Sequence, residues 1–168
     1  LENRIVTSRL LPGIIRDCHI ERLAPFFITL REMLQRLAPE HRENPRVVLL
    51  SQGPTGPNYF EDAYLARYLG YTLVEAGDLA VRDNREYLKT LGGLLQVDVL
   101  FRRLSDQLCD PLELRGDTSQ GIPGLLQAAR LGNVAIANAL GSSLVESPAF
   151  MPLLPSLAKR LLGEDLLM

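Results

Sequence analysis

Two adjacent arginines, Arg102 and Arg103, directly follow the apolar run Val97-Asp98-Val99-Leu100-Phe101. Paired guanidiniums at a strand end can fork onto a carboxylate or a phosphate. Alternatively, one of them pairs with Asp98, Asp106 or Asp110, which lie close by in the chain. A second candidate is Ser51-Gln52-Gly53-Pro54-Thr55-Gly56-Pro57-Asn58-Tyr59, a turn running into a helix N-terminus. Such termini favour anions through free N–H groups and the macrodipole. Pro54 and Pro57 remove two of those donors, and neither GxxxxGK[ST] nor GxGxxG occurs. The turn therefore reads as a carboxylate-binding or a purely structural feature, not as a nucleotide phosphate loop. A third loop, Asn138-Ala139-Leu140-Gly141-Ser142-Ser143, is small and polar, with Asn138 and Ser142 able to contact a substrate. A fourth, Glu75-Ala76-Gly77-Asp78, brings acids to the same edge.

These loops belong together only if the elements before them share a sheet. Val47-Val48-Leu49-Leu50 suits a strand buried on both faces. A helix is expected at about 59–69, with Asn58 as N-cap, Glu61 completing a capping box and Gly70 ending it. Tyr71–Glu75 reads as the next strand. Residues 79–82 and 86–90 read as a hairpin turning at Asp83-Asn84. Then come a strand at 97–101, a helix at about 122–131 ended by Gly132, and a strand at Asn133–Ala137. Alternating strands and helices of this kind predict an α/β fold: an open, mostly parallel, Rossmann-like sheet with a β-hairpin insertion and flanking N- and C-terminal helices. In such sheets ligands bind beyond the carboxyl ends of the strands, where the four loops lie.

The flanks are helical. Ile5, Leu10, Leu11, Ile14 and Ile15 form the apolar set of a helix over 2–16 that Pro12 kinks or breaks. Leu30, Met33, Leu34 and Leu37 make one stripe within Pro25–Pro39. The polar segment His41–Pro45 sets a boundary, dividing the chain into 1–43, 44–142 and a C-terminal flank, 143–168, whose helices are interrupted by Pro148, Pro152 and Pro155.

Composition narrows the function classes. The chain has 168 residues, a net charge of −2 and 46% hydrophobic residues, so neither disorder nor a global attraction to nucleic acid is expected. Of 18 basic residues only Lys89 and Lys159 are lysines, a bias that GC-rich coding explains without function. No run approaches the roughly 18 apolar residues of a membrane span. Cys18 and Cys109 stand apart, and with His19 and His41 they lack metal-ligand spacing. They read as two buried free thiols of a cytoplasmic protein, with a disulfide as the alternative, and His19 as a structural histidine. The chain opens on Leu1 and closes on Leu166-Leu167-Met168, which reads as a piece of a longer protein.

The block order then carries a resemblance. Leu1-Glu2-Asn3-Arg4, the Gly53–Arg67 segment with its Tyr59-Phe60-Glu61-Asp62, Val97–Arg103 and Gly132–Ser142 resemble the circularly permuted ATP-grasp proteins, bacterial relatives of the glutathionylspermidine synthase ligase domain. The resemblance covers nearly the whole chain. It implies a pre-ATP-grasp domain lying between two parts of an ATP-binding unit. It further implies an ATP-dependent carboxylate–amine ligase that works through an acyl phosphate with magnesium. The family's metal ligands would precede Leu1 and its ATP-clamping lysines would follow Met168. This chain is then expected to hold no catalytic, cofactor or metal residues and to be inactive alone. Its partners would be the remaining ATP-grasp segments, a small acidic or peptide-like substrate, and a second copy through exposed helical flanks. The resemblance matches Arg102 and Arg103 to the family's paired arginines, and Gly53, Asn58 and Tyr59 to its Gly-Pro…Tyr-Phe-Glu segment. The competing expectation is a non-catalytic α/β small-molecule binding or scaffold module. A self-contained nucleotide-dependent enzyme is disfavoured by the missing Gly-rich loop.

Overall fold

The structure is a computed structural model that describes residues 2–39 and 42–166. Leu1, His41, Leu167 and Met168, each named above, lie outside the described residues. Two compact units are distinguished, Leu1–Asn138 and Ala139–Met168.

The first unit is built on a four-stranded parallel sheet, ordered β2-β1-β6-β7, from β1 (Val47–Leu50), β2 (Thr72–Val74), β6 (Val99–Arg102) and β7 (Ala135–Ala137). All four residues of β1 and of β6 are buried, as the unbroken apolar run requires when both sheet faces are covered. Strand alternation gives Val47, Leu49, Val99 and Phe101 to one face. There they share a core with Phe27, Leu34 and Ala38 from α3 (Ala24–Arg36) and its C-terminal turn, and with Leu65, Ala66 and Leu69 of α4 (Tyr59–Leu69). Gly70 closes α4 at φ 75°, the left-handed conformation that glycine adopts without a Cβ penalty. The N-terminal helix divides at Pro12, as expected, into α1 (Glu2–Leu10) and α2 (Pro12–Asp17).

The hairpin exists, but it is part of a three-stranded antiparallel sheet: β3 (Leu79–Arg82), β4 (Arg85–Thr90) and β5 (Gly93–Gln96). Asp83 and Asn84 both take positive φ, 49° and 58°, which matches the twist of a two-residue hairpin turn. β5 escapes the sequence pattern because it is short, begins at a glycine and places exposed Leu94 and Leu95 next to each other.

Glu86, the second residue of β4, is fully buried, and neither carboxyl oxygen has a hydrogen-bond partner among the described residues. Its cross-strand neighbour is Val81, and burial pushes its pKa up from 4.5 to about 8. The folded state therefore holds a proton that the unfolded chain releases above pH 4.5. Stability is full below that pH and falls between the two pKa values, by about 1.4 kcal/mol per pH unit. Urea unfolding from pH 5 to 8 is expected to show this fall, and Glu86→Gln to remove it. An unchanged slope in the variant would assign the pH dependence to other groups.

The two cysteines are free, but only Cys109 is buried; Cys18 is exposed, because it caps α2, a helix with no buried residue. Burial pushes the Cys109 thiol up to about 11, so it stays protonated, and its Sγ donates to the Ser105 carbonyl. His19 is exposed, at φ 51° in the turn after α2.

The second unit contains α6 (Ser142–Val145), a 3-10 turn over Pro148–Leu153 and α7 (Leu154–Leu162). Leu144, Val145, Met151, Leu161 and Leu162 are exposed on it. No helix among the described residues is long and apolar enough to cross a membrane.

Candidate functional site

The strand order reverses between β1, whose chain leads on to β2, and β6, whose chain leads on to β7. Crevices that bind ligands in open α/β sheets form at such a point, beyond the carboxyl ends of the strands. Here Ser51 follows β1 and Arg103 follows β6.

Arg103 meets two acids from the first turn of α4. Its Nε donates to Asp62 Oδ1 at 2.9 Å and its Nη2 to Glu61 Oε1 at 3.3 Å. Asp62 is buried and also accepts from Ser51 Oγ at 2.9 Å. The capping box expected at this helix start is not made. Asn58 takes the N-cap position without a side-chain cap bond, and Glu61 reaches the guanidinium instead. A charge-assisted bond is roughly twice as strong as a neutral one. Arg103 keeps 28% of its side-chain surface, and its Nη1 has no partner among the described residues.

Arg102 is placed differently. Its side chain is 6% exposed and paired with Asp106 at 2.6 Å. Nε donates to the Asn138 carbonyl at 2.7 Å, and Nη1 donates to the Leu104 carbonyl. Asn138, at φ 60°, returns a bond from Nδ2 to the Arg102 carbonyl at 2.9 Å. Arg102 and Asn138 thus form a reciprocal clamp that joins the ends of β6 and β7. The adjacent arginines diverge because neighbouring residues at a strand end point to opposite faces.

Gly53 is buried with φ 83°. A Cβ there would lie 2.5 Å from Glu75 Oε2, so the glycine lets the Glu75 carboxylate rest over the turn. Tyr59 opens α4, half-buried, with its ring edge-on to the exposed Phe60. Ser142 opens α6 in the second unit.

Asp110 carries weight that its sequence position did not signal. Fully buried, it accepts N–H groups from Leu112, Gly124 and Leu126, fastening the long loop after β6 to α5 (Leu125–Arg130). Asp98, also buried, accepts from the Arg46 N–H and pairs with Arg42. The ion-pair partners within reach of Arg102 and Arg103 are accordingly Asp106 for the first and Glu61 with Asp62 for the second.

The residues present do not fit a magnesium nucleotide. The N–H groups of Gly56 and Tyr59 are bonded within the turn, Pro54 and Pro57 have none, and the edge carries Glu61, Asp62 and Glu75. These acids repel a polyphosphate. Among the described residues no group of three or more His, Cys, Asp or Glu is arranged to hold a metal ion. What this edge can do is present one guanidinium nitrogen outward, held in plane by two carboxylates, to a single anionic group.

Relatives share this chain over nearly its full length. An uncharacterized protein of Mycobacterium tuberculosis is 39% identical over 165 residues, 98% of this chain and 19% of the relative. A second uncharacterized protein of that organism is 35% identical over 164 residues, 98% of this chain and 30% of its own. One from Synechocystis is 37% identical over 165 residues, 98% of this chain and 34% of its own. The chain thus spans about a fifth to a third of the length of these curated relatives. The family model for circularly permuted ATP-grasp type 2 matches residues 1–168, and the chain belongs to that family.

Proposed function

We propose that this chain supplies the substrate-side, pre-ATP-grasp domain of an ATP-dependent carboxylate–amine ligase and is inactive alone. Nucleotide and magnesium are held by other segments of the whole protein. The observation that carries this reading is Arg103, half-exposed where the strand order reverses, with Nη1 unengaged and its plane fixed by Asp62 and Glu61. In that geometry Arg103 binds and orients the acid substrate's carboxylate. Arg102 and Asn138 act one step back, by holding the strand end from which Arg103 projects. The exposed apolar residues of α3 and its C-cap (Phe26, Ile28, Met33, Leu37) and of the second unit are surfaces for the remaining ATP-grasp segments, since contiguous apolar area seeks cover.

The test uses the full-length protein with magnesium and ATP, measuring phosphate release across a matrix of carboxylic acids and amines. Release that requires both an acid and an amine is expected. ATP turnover indifferent to either, or none with any pair, would replace this reading with a non-catalytic binding module.

A further inference from the structure

A second cleft, of about 210 Å³, opens on the other side of Ser51, at the carboxyl ends of β1 and β2. Ser51, Gln52, Thr55, Glu75, Ser119 and Gln120 line it. Its chemistry is the reverse of that around Arg103. No lysine or arginine lines it, and its one charge is the Glu75 carboxylate, which makes no ion pair among the described residues. Apart from Ala76 and Gly77, the rest of its lining side chains are hydroxyls and amides, which can accept as well as donate hydrogen bonds. Glu75 is held at the cleft by the backbone of its own turn, where its N–H donates to Asp78 Oδ2 at 2.9 Å. The bare Gly53 backbone leaves room for its carboxylate.

We infer that this cleft is a binding site for a protonated amine carried on a small hydrophilic body, with Glu75 pairing the ammonium and Gln52, Thr55, Ser119 and Gln120 hydrogen-bonding the remainder. A carboxylate or phosphate is disfavoured, because it would meet Glu75 without a compensating cation. An apolar amine is disfavoured too, because it would strand the amides and hydroxyls that line the walls. A single carboxylate suits one positive charge better than a chain of them. The assignment deepens the ligase reading, and its place in a reaction rests on that reading. The edge order Glu75, Ser51, Arg103 follows the strand order β2-β1-β6 and puts an ammonium subsite and a carboxylate subsite on either side of one serine. Ser51 Oγ, bonded to Asp62 and contacted by the Gly53 N–H at 3.3 Å, ties the two together.

The experiment is an amide-resolved NMR titration of the 168-residue chain with ethanolamine, with ethylene glycol as the neutral isostere and acetate as the anion. Ethanolamine is expected to give saturable shifts confined to Gln52, Gly53, Ala76, Gly77 and Gln120. The glycol and acetate should give none there. Glu75→Gln is expected to weaken ethanolamine binding at least tenfold with the rest of the spectrum unmoved, and Gln120→Ala to weaken it less. The inference is overturned if ethanolamine does not saturate, if the glycol binds as well, or if Glu75→Gln binds like wild type. These outcomes are independent of ATP. Failure here beside acid- and amine-dependent phosphate release in the full-length protein would leave the ligase reading standing and move the amine elsewhere.

Discussion

Arg102→Ala is expected to lower the unfolding free energy by about 3–5 kcal/mol, the range for removing one partner of a buried ion pair. The loss has two sources. Asp106, only 17% exposed at its side chain, is left without the guanidinium that sits 2.6 Å away. The carbonyls of Asn138 and Leu104 lose the donors that reach them from Nε and Nη1, and buried acceptors left unmade cost more than the net worth of the bond. Arg102→Lys should recover only part of this, since one ammonium cannot reproduce a planar fork with three separate acceptors. The check is the urea midpoint of the chain and its variants at constant m. A loss below about 1 kcal/mol would mean that the clamp between β6 and β7 is relaxed in solution.

Arg103→Lys, in the full-length protein, is expected to cost roughly 30-fold or more in kcat/KM for the acid substrate, equivalent to about 2 kcal/mol or more. Lysine keeps a positive charge beside the buried Asp62, so the fold should lose little. It has a single nitrogen, however, and Asp62 and Glu61 would claim it. The outward donor that Arg103 provides through Nη1 would be gone. The effect should fall mainly on the KM for the acid and leave the KM for ATP close to wild type, because no nucleotide contact is assigned to this edge. Wild-type kcat/KM in Arg103→Lys would remove the carboxylate role from Arg103. A loss confined to ATP would move the residue's contribution to another step.

The two variants separate residues that look equivalent on paper. Arg102 and Arg103 are adjacent, have the same type and follow the same strand, and the sequence offered both as substrate ligands. The pleat turns one inward, to carbonyls and Asp106, and the other toward α4. The same distinction runs through the other candidates. Gly53 is legible as a turn glycine, but the reason for it, the carboxylate of Glu75 lying where a Cβ would be, comes from a residue 22 positions later. Asn58 and Glu61 carry a local capping pattern, yet Glu61 is drawn away by a guanidinium 42 residues distant. Cys18 reads as buried from its type alone, but caps a short helix that buries nothing.

The sequence by itself determined the local decisions. It set the breaks at Pro12, Gly70 and Gly132, the hairpin turn at Asp83-Asn84, the buried runs that become β1 and β6, and the alternation that makes a parallel α/β sheet. Each depends on backbone dihedral preferences or on hydrophobic period, which act over a few residues. Its block pattern also carried the family. Only the tertiary structure decided which charges meet: Arg103 with Asp62 across 41 residues, Asp110 with the start of α5 across 14 and 16, and Glu86, buried opposite Val81, with no hydrogen-bond partner for its carboxylate among the described residues. Partner choice for a charged side chain follows from where the packed elements bring it and how much water they leave, and neither quantity exists until the sheet, its helices and its loops are assembled.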